Sequence, residues 1–141
     1  MIDCIFCKII TGEIKQERLY EDDKTIAILD INPVHYKGGH TLVIPKKHYE
    51  LFSDMPDIEA KAVMSTMLKV SKALMEFGEG LNVIQNNKRV AGQYVPHVHF
   101  HLIPRFINDG VVISENWSGK EYKSNKEMID TVKKIKSLLK S

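Results

Sequence analysis

The sequence predicts an α+β domain organised around a mainly antiparallel sheet, and three observations carry that prediction. Two short runs rich in β-forming residues, 25–30 (TIAILD) and 40–45 (HTLVIP), read as largely buried strands. Residues 54–77 place Val63, Met67, Val70, Leu74 and Phe77 at helical spacing, the stripe of a core-facing helix. From His97 to Leu102 histidines and apolar residues alternate, which is the period of a strand with two different faces. Strands and helices do not alternate regularly along the chain, so antiparallel pairing is expected rather than a doubly wound parallel sheet.

Taken in order, strand 40–45 is fenced by Gly38 and Gly39 before it and by Pro45, Lys46 and Lys47 at its end. In the helix 54–77, Asp54 can cap the start, Pro56 suits the first turn, and Gly78 and Gly80 stop it. Strands are expected at 81–85 and 95–103, the second with His97, His99 and His101 on one face and Val98, Phe100 and Leu102 on the other. Residues 104–123, with the patch Val111, Val112 and Ile113 and the only tryptophan, Trp117, receive no element. Ser124 with Glu127 three places on forms a capping box, after which Met128, Val132, Ile135 and Leu139 lie on one side of a helix at about 125–140. With no repeat and no linker, residues 1–141 read as one domain with that helix appended.

Composition removes several function classes. Twenty Lys plus Arg against 18 Asp plus Glu is too balanced for a protein that holds a polyanion through many phosphates, so no nucleic-acid partner is expected. Apolar runs end after four residues, far below the ~20 of a spanning helix, and no charged-then-apolar leader opens the chain; no membrane association is expected. Cys4 and Cys7, at C-x-x-C spacing in a chain without a secretory signal, suit a reducing compartment, by default the cytoplasm.

The three alternate histidines are the strongest functional signal. On a strand rising about 3.3 Å per residue their outer Cα atoms stand about 13 Å apart, so one metal cannot take all three. Opposite an apolar face, an imidazole face must look into a cleft, because unpartnered imidazoles in a dry core are costly. Mobile protons in a cleft suit acid, base or nucleophile work near neutral pH. Cys4 and Cys7 are half of a tetrahedral zinc site, and two free thiols or a redox pair are the alternatives; the redox reading lacks the preceding strand that such a motif needs.

HVHFHLI at 97–103 resembles the signature of the histidine triad family of nucleotide hydrolases and transferases, and GHTLVIPKKH (39–48), LDINP (29–33) and AGQ (91–93) resemble the family's other segments in their usual order. The resemblance implies the histidine triad fold, with a five-stranded, mainly antiparallel sheet and two principal helices. It implies a homodimer that binds a purine nucleotide and cleaves nucleoside 5′-phosphoramidates or dinucleoside polyphosphates at the α-phosphate. His99 would be the nucleophile of a covalent nucleotidyl-histidine, with His101 beside the phosphate and leaving group. Imidazole suits this step, being neutral at pH 7 and forming a phosphoramidate labile enough to hydrolyse. No metal is required for it.

By the same resemblance Asn86 and Gln93 would donate to phosphoryl oxygens, Asp30 would accept from ribose hydroxyls, and Phe6, Ile9 and Ile31 would line the base pocket. His40 would hold a neighbouring imidazole rather than react. Branches of the family with two cysteines imply a structural zinc ion on Cys4, Cys7, His48 and His97. Tyr94 stands where relatives often carry a small hydroxyl residue, so no side-chain role is assigned to it. His35 is expected in a solvated loop, and Lys46, Lys47, Lys88, Arg89 and Arg105 are read as solvated surface. A purine-nucleotide-binding module with incidental hydrolysis, and a metal centre on His97 and His99 with metal-bound water as nucleophile, are the rival readings.

Overall fold

The structure, a computed structural model, describes residues 3–113 and 121–139. The chain divides into two compact units, residues 1–111 and 112–141. The first unit contains a short helix α1 (Ile5–Thr11), strands β1 (Tyr20–Glu21), β2 (Thr25–Leu29) and β3 (Thr41–Pro45), a long helix α2 (Asp57–Phe77), and strands β4 (Gly80–Gln85) and β5 (Phe100–Arg105). The strands form one five-stranded sheet, order β1-β2-β3-β5-β4, antiparallel throughout. This is the α+β architecture that the sequence predicts.

Period-two alternation sorts the strand residues onto two faces. Ala27, Val43, Phe100 and Leu102 pack with Val98 against Val63, Met67, Val70 and Leu74 of α2. Ile26, Ile28, Leu42 and Ile44 pack on the opposite face against Cys4, Phe6 and Ile9. The stripe on α2 is therefore buried as expected, except that Phe77 is 54 % exposed. Its start differs: Asp54 belongs to a preceding 3-10 turn, where its Oδ2 accepts from Leu51 N–H at 3.1 Å, and Pro56 is the N-cap.

Helix α1 has no sequence counterpart among the predicted elements. Only Phe6 and Ile9 of its seven residues are buried, too short a pattern to register a period. The thiol of Cys4 supplies its N-cap, accepting from Cys7 N–H at 3.5 Å, and Gly12 closes it with a left-handed φ of +83°. Gly39 has a different constraint. Besides its φ of +83°, a Cβ there would meet Phe77 at 2.6 Å and Pro104 at 2.8 Å, so only glycine lets the chain enter β3 this close to α2 and β5.

The β1–β2 turn is organised by Asp22. Its carboxylate accepts from Lys24 N–H (2.9 Å), Thr25 N–H (2.8 Å), the Thr25 hydroxyl (3.0 Å) and the Tyr20 hydroxyl (3.0 Å), while Thr25 meets the buried Thr66 of α2 at 2.6 Å. Burial alone would raise the Asp22 pKa, but these donors outweigh it and hold the carboxyl down at about 2. Asp22→Ala is expected to cost about 3 kcal/mol of stability, measurable by urea denaturation, because several partly buried donors lose their acceptor.

The second unit carries α3 (Asn125–Leu138). The Ser124 hydroxyl accepts from Glu127 N–H at 3.1 Å, and the Glu127 carboxylate reaches back to Lys123 N–H at 2.7 Å. Met128, Val132, Ile135 and Leu139 are 41–73 % exposed. Trp117 falls in 114–120, outside the described residues. No helix among the described residues is long and apolar enough to cross a membrane.

Candidate active site

The chain does not enter the ladder at residue 95 as expected; β5 begins at Phe100. Pro96 lacks an N–H, His97 N–H turns back to Val95 O at 2.8 Å, and Val98 N–H is taken by Tyr49 O at 2.8 Å, so the approach to the strand pairs elsewhere. The alternation of faces survives this departure, with Val98, Phe100 and Leu102 toward α2 and the histidines on the other side. Only His101 of the three lies within a regular strand, opposite Leu42 on β3 and Ile84 on β4.

On the histidine side a cleft of about 580 Å³, the size of an ordinary small-ligand pocket, is bounded by α1, β2, β3 and the β4–β5 loop. His99, His101, Asp30, Ile31, Asn86, Phe6 and Ile9 all line it. Ile28 and Leu42 also line it, and their alternation with Ala27 and Val43 along the strand runs is the sequence signal for this face. Tyr94 and Gln16 line it as well, and no local pattern marks them.

The hydrogen bonds fix the protons. His99 Nδ1 is 2.7 Å from His97 O, and since a carbonyl only accepts, Nδ1 carries the hydrogen and Nε2 keeps its lone pair. Phe6 packs edge-on against the same ring at 5.0 Å between centroids. His101 Nδ1 is 2.9 Å from His40 Nε2, which in turn is 3.8 Å from the Asp30 carboxylate. A hydrogen on His40 Nε2 donates to His101 Nδ1 and leaves the partnerless His40 Nδ1 a bare acceptor, cheaper to bury than an orphaned N–H. His101 Nδ1 then accepts, and its Nε2 carries a hydrogen. Asp30 also closes a turn, accepting from Asn32 N–H at 2.8 Å.

Burial holds all of these rings neutral. It lowers the His99 and His40 pKa values and, with the neighbouring His99 and His40, brings His101 down to about 4. The depressed folded values of His40 and His101 contribute stability that is complete above the ordinary imidazole value of about 6.5 and lost as pH falls toward 4. Denaturation midpoints are therefore expected to fall between pH 7 and pH 5; a midpoint flat across that range contradicts the assignment.

Several side chains have other surroundings than the sequence suggests. Gln93 is buried, its Nε2 donating to Glu50 O and its Oε1 accepting from Lys88 N–H, each at 2.7 Å, so both ends of the amide are committed to backbone instead of facing the cleft. His35 is not solvated: its Nε2 donates to Pro104 O at 2.8 Å and its ring packs edge-on against Phe106. The reading of Arg89 and Arg105 as merely solvated also changes. Arg89 stacks over the Tyr94 ring at 4.8 Å, and Arg105 bridges Asp109 and Asn82.

Cys4, Cys7, His48 and His97 converge, with all four ligand atoms within 4.8 Å of one another. Cys4 Sγ and Cys7 Sγ lie 3.3 and 3.6 Å from His97 Nδ1, Cys7 Sγ lies 3.4 Å from His48 Nδ1, and the two Nδ1 atoms are 3.1 Å apart. The edges of a zinc tetrahedron are about 3.6 Å between S and N and about 3.3 Å between two N, so the set fits that ion. His97 Nε2 donates to Pro45 O at 2.8 Å, which turns the Nδ1 lone pair toward the sulfurs. His99 is not in this set, so the centre imagined on His97 and His99 is not assembled. Asp30, His40 and His101 form a second grouping, in which the imidazole–imidazole bond already uses the facing nitrogens.

A family profile described as the HIT domain matches residues 11–108. The chain belongs to the histidine triad (HIT) family. An uncharacterized HIT-like protein of Methanocaldococcus jannaschii is 53 % identical over 111 residues, 78 % of this chain and 84 % of that one. The adenosine 5′-monophosphoramidase of Candida albicans is 45 % identical over 108 residues, 72 % of this chain and 70 % of that one. The crystal structure of a HIT family member from Bacillus subtilis superposes with a TM-score of 0.85 at 36 % identity, covering 99 % of each chain. The HIT profile ends inside the first compact unit and leaves α3 outside it.

Proposed function

We propose that this HIT protein is a nucleotide hydrolase that cleaves nucleoside 5′-phosphoramidates or related phosphoanhydrides at the α-phosphate, with His99 as nucleophile. One observation carries the reading: the His97 carbonyl fixes the hydrogen of His99 on Nδ1, so the ring offers Nε2 as a lone pair in a nucleotide-sized cleft. In the first step a bond forms between Nε2 and phosphorus, the bond from phosphorus to the leaving nitrogen or oxygen breaks, and the leaving group takes a proton. Neutral His101 cannot give up its one hydrogen without becoming an imidazolate, so that proton comes from water in the cleft, and His101 Nε2–H, on a ring 4.9 Å from that of His99, hydrogen-bonds the leaving atom. Water then attacks phosphorus, the bond between phosphorus and Nε2 breaks, and the proton shed by the water replaces the one the leaving group took, so His99 returns to its starting form.

Phe6, Ile9, Ile28 and Leu42 supply an apolar wall for a purine base, Ile31 covers its edge, Asp30 accepts from ribose hydroxyls, and Asn86 donates to a phosphoryl oxygen. Cys4, Cys7, His48 and His97 would hold a zinc ion, whose contribution is structural: it ties α1, and with it Phe6, to the segment that presents His99. The protein is a homodimer in this reading. Met64, Leu68 and Met75 leave an exposed apolar stripe on α2, and β4, at the sheet edge, exposes Val83 on the same side. The mass in solution by light scattering checks it.

The intermediate is testable directly. Protein quenched in acetonitrile during turnover of adenosine 5′-phosphoramidate is expected to carry an adenylyl adduct on the peptide containing His99. Product formation at full rate with no adduct on any histidine refutes nucleophilic catalysis.

A further inference from the structure

The nucleophile sets the direction in which the leaving group departs. His99 lies on the cleft floor, 7 % exposed, and in-line displacement places the leaving group on the far side of phosphorus. The leaving group therefore moves toward the mouth and meets residues exposed at the rim. Two rims flank β5: Asp30 and Ile31 follow β2 on one side, and the loop after β4 carries Asn86, Gly92 and Tyr94 on the other. Asp30 brings a negative charge to the first, and Lys88 and Arg89 bring positive charges to the second.

That second loop is held in one shape. Lys88 has φ +69° and ψ 160°, a backbone conformation that belongs to glycine, and residues kept there against strain cluster at functional sites. Buried Gln93 maintains it by accepting from Lys88 N–H and donating to Glu50 O. The loop delivers Tyr94, 76 % exposed, to the cleft, and the Arg89 guanidinium sits 4.8 Å from its ring centroid. Stacking holds the cation at the rim while leaving its planar donors open to carboxylate or phosphate oxygens.

We propose that Arg89 and Tyr94 form a leaving-group subsite that selects substrates whose leaving group is anionic, bearing a carboxylate or a phosphate. This rests on the hydrolase reading above and specifies its substrate class. The test compares kcat/KM for three substrates: the adenosine 5′-phosphoramidates of glutamate and of lysine methyl ester, and diadenosine tetraphosphate. In the wild type both anionic leaving groups, or one of them, are expected to be preferred over the cationic lysine ester, and the affected arm separates a carboxylate source from a phosphate source.

Arg89→Glu is expected to lower the anionic-to-cationic ratio by about tenfold, as a charge reversal at a partly screened contact should. Tyr94→Ser, which frees the guanidinium, is expected to lower it less, and Tyr94→Phe to retain it. Both residues are exposed, so the variants are expected to melt with the wild type. A wild-type preference for the lysine ester, or a ratio indifferent to Arg89→Glu, overturns the subsite while leaving the hydrolase reading intact. Failure of the wild type to turn over any of the three overturns both.

Discussion

His99→Asn is expected to lower kcat for adenosine 5′-phosphoramidate by at least about a thousandfold while the affinity for AMP, measured by calorimetry, changes little. Asparagine can preserve the hydrogen bond to the His97 carbonyl, since its amide also donates, and it is small enough to leave Phe6 in place. What it lacks is the basic lone pair that Nε2 presents to phosphorus. The comparison therefore isolates chemistry from packing: loss of turnover with retained binding and an unchanged melting temperature assigns the covalent step to this imidazole. A variant that keeps turnover within tenfold of the wild type places the nucleophile elsewhere and removes the support for the mechanism.

Removing the sulfur ligands is the second large effect. Cys4→Ser combined with Cys7→Ser is expected to abolish stoichiometric zinc in the purified protein and to lower the melting temperature by about 10 °C, corresponding to about 3 kcal/mol in a chain of this size. The metal binds only deprotonated thiols, and burial, with Cys4 adjacent, pushes the Cys7 thiol up to about 11 when no cation compensates it. Zinc affinity is therefore expected to weaken as pH falls, each released proton adding to the slope. Because Phe6 lies between the two cysteines and packs on His99, the serine pair should also raise KM. Metal analysis showing no zinc in the wild type, together with a serine pair that melts within a degree or two of it, contradicts the assignment.

The legible parts of this protein were those governed by short periods. The α2 stripe and the β2 and β3 runs identified themselves because each pattern spans several turns or a whole strand, and their burial follows it. Helix α1 did not, since seven residues with two buried side chains carry no measurable period. The start of β5 is not legible, because alternation continues through 97–99 although Pro96 and the bond to Tyr49 O remove that segment from the ladder. Among the site residues, His99, His101, Asp30 and Asn86 reach the cleft, whereas Gln93 turns to the backbone of Glu50 and Lys88, partners that nothing local to AGQ announces.

The sequence by itself determined that three imidazoles would share one face opposite an apolar one, because a period of two is local stereochemistry that the chain carries wherever it goes. Only the tertiary structure decided what each imidazole does. The Pro45 carbonyl, 52 residues away in sequence, turns the His97 lone pair toward the cysteines, the His97 carbonyl then fixes the hydrogen of His99, and His40 fixes that of His101. Tautomer and orientation depend on which acceptor or donor lies within about 3 Å, and chain folding alone sets that distance.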